Sequence, residues 1–212
     1  GPKFTRNQCV EACKGHREKP VWEILDDPHA KAVELLKAGE VIGWFRGRME
    51  FGARALGNRS ILADPSQPGI AQRINKLVKF RESWRPFSAS LLESAADDYI
   101  DRGNLNSHDE AMALSVKTTA KFREVYPDVV HVDGTARLQV VRDDNNADFY
   151  NLLRQFADAT GQRLLINTAL NRPGEALVCT PEDAINAFHG TDLNYLILGD
   201  LLVSKREEVD DW

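Results

Sequence analysis

The stretch from Trp44 to Phe87 constrains this chain more than any other, because it carries a net positive charge within a chain whose remainder is net negative. It holds nine basic residues (Arg46, Arg48, Arg54, Arg59, Arg73, Lys76, Lys79, Arg81 and Arg85) against Glu50, Asp64 and Glu82, a local charge of +6. The whole chain carries −5, so the remainder carries −11. Guanidinium groups suit planar, bidentate binding of phosphate or carboxylate, and Lys79 supplies a point charge. Glycines at 47, 52 and 57 let the backbone come close to a ligand, and Phe51, Leu56, Ile61 and Phe80 supply apolar walls. The pattern points to an anion pocket. The alternative is a solvated basic loop followed by one amphipathic helix, and for Arg73 that alternative is preferred.

The 212 residues suffice for one large domain or two small ones with a real core. A pI near 5.6 argues against general binding to nucleic acid or anionic membranes. No apolar run reaches the length of a membrane span, and the first residues lack a signal-peptide core. Three cysteines, an odd number without a disulfide framework, suggest a reducing cytoplasm. Cys9, Cys13 and His16 lack a second ligand pair, so no metal site is expected.

Residues 1–28 read as a polar lead-in with one short helix around Gln8 to Lys14. Pro28 opens a helix that Gly39 stops, and Val41 to Phe45 reads as a buried strand before the arginine-rich loop. After a turn at Asp64 to Gly69, Ile70, Ile74, Leu77 and Val78 mark the inner face of a helix. Pro86 to Leu92 reads as a second strand. Asp97 to Ala120 is polar and unpatterned, with a mobile loop expected at Gly103 to Asp109. HVDGTARLQVV (131–141) begins as a turn and ends as a strand. Phe149, Leu152, Leu153 and Phe156 stripe a helix over 147–160. Arg163 to Asn167 is an apolar strand running into NTALNRPGE, Thr180 caps a last helix to about Phe188, and Tyr195 to Ser204 supplies a final strand or strand pair. Strands alternating with helices indicate an α/β sheet covered by helices. Polar loops at strand ends are where such folds build ligand sites. Ser60, Ser88 and Ser90 lack a partner that would make them nucleophiles. His131 is read mainly as a hydrogen-bonding residue beside a turn made by Asp133 and Gly134.

GRMEFGARALGNRSILADP, NKLVKFRESWRPFSAS, HVDGTARLQVV, LLINTALN and VCTPEDAI, in that order, resemble the C-terminal domain of the O-carbamoyltransferases. That family carbamoylates nodulation factors, cephamycin-type β-lactams and tobramycin. The resemblance runs from Gly1-Pro2 to about Lys205. It implies a single domain, a YrdC-like twisted mixed sheet with helices packed on it. It also implies binding of ATP, Mg²⁺ and carbamoyl phosphate, with formation of carbamoyladenylate. Transfer to an acceptor hydroxyl or amine would fall to a separate N-terminal domain of the actin/sugar-kinase type, whose motifs these residues lack.

Carried over by position, Arg54 matches the arginine of a GPRALG motif, and Lys79 and Arg85 match K-x-R-E-x-x-R-P-F. These three are the expected catalytic residues. Arg137 matches the arginine of HVDGTAR, and Asn167 and Asn171 match the asparagines of NTSFN. With Arg48, Arg59, Arg81 and Thr168 they form the expected substrate- and nucleotide-binding set. Ala53 and Leu170 replace a proline and a phenylalanine of the family pattern. Ala169 replaces a serine, a lost hydroxyl contact worth about 1–3 kcal/mol. That loss leaves open a second reading, a non-catalytic nucleotide-binding or scaffold module that docks on a transferase subunit.

Overall fold

The structure, a computed structural model, describes residues 1–82, 85–101 and 110–205. Helix α1 (Arg6–Gly15) starts at a capping box, in which the Thr5 hydroxyl accepts from the Gln8 N–H and the Gln8 side chain accepts from the Thr5 N–H. Strand β1 (Val21–Ile24) precedes α2 (Pro28–Lys37), where Asp27 accepts two N–H groups and Pro28 fills the first position. Next come β2 (Ile42–Phe45), β3 (Arg59–Ala63), α3 (Ile70–Ile74), β4 (Ala89–Leu92), α4 (Ala96–Tyr99), β5 (Val116–Lys117) and α5 (Ala120–Val125). The chain continues through β6 (Thr135–Ala136), β7 (Leu138–Val141), α6 (Asp143–Thr160), β8 (Leu164–Ala169), α7 (Pro181–His189), β9 (Tyr195–Leu198) and β10 (Leu201–Ser204).

Eight strands form one sheet in the order β1-β10-β9-β2-β3-β8-β4-β7, while β5 and β6 pair separately. The β2–β9 and β4–β7 pairs are parallel and the others antiparallel. This is the mixed, YrdC-like α/β sheet expected. Successive residues of a strand face opposite sides, so the continuous apolar run of β3 serves two cores. Leu62 joins Leu36, Trp44, Phe149, Leu153 and Phe156 on the face that α2 and α6 cover. Ile61 joins Ile74, Phe122, Ile166 and Phe188 on the face that α1, α3, α5 and α7 cover. The stripe of α6 is buried as its spacing predicts, and Gly161, at φ 77°, ends the helix.

Four expectations change. The first 28 residues are not a lead-in: β1 pairs with β10, and α1 buries Cys9 and Cys13 in the core. The four residues VWEI are too short and too exposed at the sheet edge to stand out as a strand. Second, β3 lies inside the supposed arginine loop, so residues 46–58 connect a β2–β3 hairpin. Third, the helix from Ile70 is α-helical only to Ile74 and then widens into a π-helical turn over Asn75–Lys79, after which Phe80 is left-handed at φ 45°. Fourth, the polar stretch contains α4 and β5, and its expected loop at Gly103 to Asp109 lies outside the described residues. Burial pushes the Cys9 thiol up to about 11 and the Cys13 thiol to about 12. His16 turns instead to Asn186, 3.1 Å away. Among the described residues no three His, Cys, Asp or Glu side chains could hold a metal ion.

Candidate anion-binding site

Strand register brings most of the suspected residues to one end of the sheet. Phe45 lies opposite both Arg59 and Leu198, Ser60 opposite Ala169, and Ala89 opposite both Ile166 and Leu138. The C-terminal ends of β2, β8 and β9 therefore share an edge with the N-terminal ends of β3, β4 and β7. The 46–58 connection, the segment before β4, Arg137 just before β7, and the NTALN turn after β8 all leave from that edge.

The 46–58 connection is held rigidly. One carboxylate oxygen of Glu50 accepts the N–H groups of Leu56, Asn58 and Arg59 at 2.6, 3.1 and 3.2 Å. Trp44 donates its indole N–H to the Gly57 carbonyl at 3.0 Å. Gly57, at φ 97°, sits so close to the Phe149 ring that an added Cβ would overlap it. Arg46 anchors the start of the connection: it grips Asp148 with two bonds of 2.9 and 3.0 Å and also reaches Asp200 at 3.1 Å. His29 approaches Asp148 as well, at 3.2 Å. Burial alone would raise the Asp148 pKa, but the bonds from His29 and Arg46 hold it well below the usual carboxylate range.

Lys79 leaves the π-helical turn and reaches across to the end of β8. Its ammonium donates to the Ala169 carbonyl at 2.6 Å and to Asn171 Oδ1 at 2.7 Å. Burial, with Arg81 nearby, depresses its pKa to about 8. A π turn adds one residue to the helix and redirects the chain beyond it, a device common at functional sites. Arg81 lies over the Phe87 ring at 4.3 Å and donates to Asn75 Oδ1 at 3.1 Å. Burial and then Arg85 lower its pKa. Arg85 is exposed, with Glu82 at 3.7 Å.

Arg54 and Arg137 are near enough that, after burial, Arg137 is the charge that lowers the Arg54 pKa. Among the described residues neither guanidinium has an acidic or carbonyl partner, and Arg137 Nε is buried without any hydrogen bond. These are two like charges within electrostatic reach of each other, without an acidic partner among the described residues. Deeper in the same end, Gln139 Nε2 donates to the Leu56 carbonyl at 3.0 Å, and its Oε1 accepts from Ser90 Oγ at 2.7 Å and from Asn167 Nδ2 at 3.4 Å. Asn167 Nδ2 also donates to Ser90 Oγ at 2.9 Å, leaving Asn167 Oδ1 buried and unpartnered.

The structure thus brings Arg54, Lys79, Arg81, Arg137, Asn167, Thr168 and Asn171 to one end, with Arg85 at its rim. Arg48 is exposed and donates to the Gly1 carbonyl. Arg59 corrects the expectation of substrate binding: it is fully buried over the Phe45 ring at 3.6 Å, and its guanidinium donates to the carbonyls of Pro2, Arg46, Gly47 and Asn58. Its two terminal nitrogens are spent on the scaffold, while its Nε is buried without a partner. Arg73 lies at the helix flank as preferred, bonded to the Gly39 carbonyl and to Glu40. His131 and Asp133 both bond Thr135 within their turn. Sequence reasoning missed Glu50 and Gln139. The signal for Gln139 and Ser90 was a single polar residue inside each of two apolar strands, LQVV and ASLL, but only register shows that they meet.

Residues 33–205 match the family described as carbamoyltransferase C-terminus. The chain is 40% identical to the nodulation protein NolNO of Sinorhizobium fredii, covering 100% of this chain and 32% of that protein. It is 32% identical to a 3'-hydroxymethylcephem-O-carbamoyltransferase of Streptomyces clavuligerus, covering 84% of this chain and 33% of the other. The chain spans about a third of the length of these curated relatives. Among solved structures, HypF of T. kodakarensis shares the fold with a TM-score of 0.55 at 17% identity, over 85% of this chain and 21% of that one. With its motifs gathered at one sheet end and its match running across most of its length, the chain belongs to the carbamoyltransferase C-terminal family.

Proposed function

We propose that this domain binds ATP and carbamoyl phosphate together and forms carbamoyladenylate. The observation that carries this reading is the unpaired couple Arg54–Arg137, which a phosphate dianion would neutralise. Lys79 lies at the end of the same sheet, its charge desolvated and therefore strengthened toward any incoming anion. In balanced form, water releases phosphate from carbamoyl phosphate, and the carbamate oxygen then attacks the α-phosphorus of ATP and expels diphosphate. Such transfers need fixed cations and alignment more than covalent chemistry from the protein. Arg54 and Arg137 hold the phosphoryl charge, Lys79 steadies the attacking or leaving oxygen, and Asn167, Thr168 and Asn171 orient the carbamoyl end. Arg81 and Arg85 extend the positive edge toward solvent. Mg²⁺ would neutralise polyphosphate charge through phosphate and water ligands, which suits a site whose own donors are cationic.

The carbamoyl group would pass to an acceptor hydroxyl or amine on a separate domain, in keeping with relatives about three times as long. The buried free thiols fit a reducing cytoplasm. Nucleic acid is not an expected partner of so acidic a chain. Ala169, in place of a hydroxyl at the mouth of the site, is the one observation favouring a non-catalytic nucleotide-binding module. The test is incubation with ATP, Mg²⁺ and carbamoyl phosphate, following diphosphate release and searching for carbamoyladenylate by mass spectrometry. Release that requires carbamoyl phosphate and is lost in Arg54→Ala and Arg137→Ala supports adenylation. Saturable ATP binding without release favours the binding module, and release indifferent to both arginines removes them from the site.

A further inference from the structure

Gln139 is 3% exposed in a strand whose other residues are apolar, and each of its polar atoms is used. A carbonyl oxygen can only accept, so the Leu56 carbonyl forces Gln139 to present its amide N–H₂ to the 46–58 connection. Gln139 Oε1 must then face Ser90 and Asn167 and take their hydrogens. This in turn fixes Asn167 with Nδ2 inward and Oδ1 free. Leu56 is gripped at both its polar groups, its N–H by Glu50 and its carbonyl by Gln139. Asn146 adds to the grip. It leaves helical backbone (φ −156°, ψ 80°) to donate to the Leu56 carbonyl and to Asn58.

The position of this relay matters. Leu56 follows Arg54 by two residues, and Gln139, in β7, follows Arg137 just before that strand by two residues. The Gln139–Leu56 bond therefore ties together the two segments that carry the mutually repelling guanidiniums, and its other branch ends on Asn167. We infer that Gln139 is a positioning residue of the anion site: it sets the spacing of Arg54 against Arg137 and the orientation of the Asn167 amide. An apolar residue of the same size would fill the space without that control. This role presupposes the adenylation site proposed above.

A double-mutant cycle separates positioning from simple packing. Gln139→Met, which keeps the volume and removes all three side-chain hydrogen bonds, is combined with Arg54→Ala, and thermal unfolding shows which variants stay folded. Gln139→Glu replaces Gln139→Met if the latter does not fold. The expected result is a loss of about ten- to a hundredfold in kcat/KM for carbamoyl-phosphate-dependent diphosphate release in the Gln139 variant, mostly through kcat. Because release is lost in Arg54→Ala, the cycle is completed in the Kd for ATP, where Gln139→Met weakens binding less in the Arg54→Ala background than in the wild type, since one of the two groups it positions is already gone. An equal loss in both backgrounds, or no loss, overturns the inference. If wild-type protein binds ATP but does not turn over, adenylation itself has failed, and the cycle in the Kd for ATP is read with the same criteria. If wild-type protein neither turns over nor binds ATP, both readings fall.

Discussion

Raising the pH should weaken ATP binding while relieving strain in the fold, and both effects trace to Lys79. Burial beside Arg81 brings its pKa to about 8, against about 10.4 for a free lysine. The gap corresponds to about 3 kcal/mol by which the empty protein disfavours the charged ammonium. Below pH 8 the group is charged in folded and unfolded chains alike, so that cost is fully present. Between about pH 8 and 10 the unfolded chain keeps a proton that the folded one has released, so this group's contribution to stability rises with pH. Affinity for an anion moves the other way. Lys79 is about 90% protonated at pH 7 and about 10% at pH 9, so the Kd for ATP should rise about tenfold over that span if the cation is required. Titration calorimetry with Mg²⁺ from about pH 7 to about pH 9.5 at constant ionic strength measures the limb. Lys79→Met should bind weakly and show no limb. A flat Kd in the wild type, or the same limb in Lys79→Met, would refute the assignment of that charge to the site.

Other perturbations probe the scaffold. Asp148→Asn removes the carboxylate shared by Arg46 and His29 and should cost about 2 kcal/mol at neutral pH, discounted for its partial exposure. Because the folded pKa of Asp148 is depressed, its contribution is present above about pH 4 and lost as pH falls through the folded value. The Asn variant should therefore show a shallower acid limb in thermal unfolding, and an unchanged limb would place the titration elsewhere. Gly57→Ala puts a methyl group into the Phe149 ring at φ 97° and should cost at least about 3 kcal/mol in a urea titration. Wild-type stability there would mean the connection is not seated on Phe149. Ala169→Ser should raise diphosphate release about tenfold with little change in Tm, since Lys79 binds the backbone carbonyl at that position and not the side chain. No gain would show the hydroxyl to be dispensable in this protein.

The elements legible from sequence were those whose signal is local. The stripe of Phe149, Leu152, Leu153 and Phe156, and the Thr180–Pro181 cap whose Asp183 closes the box in the structure, involve residues within a few turns of one another. β1 and β3 were missed because four or five residues carry too little periodicity to distinguish a strand from a loop.

By itself the sequence determined that one stretch of an acidic chain carries a net positive charge, and that strands alternate with helices in an α/β fold. Only the tertiary structure decided which of the cations are free to bind. Arg46, Arg54 and Arg59 look alike in the chain. Yet Arg46 is matched by Asp148 and Asp200, 102 and 154 residues away, and the terminal nitrogens of the buried Arg59 donate to backbone carbonyls. Arg54 instead meets Arg137, another cation. Whether a charge is neutralised depends on what lies within a few ångströms of it. That distance is set by strand register and helix packing, which no local pattern of residues encodes.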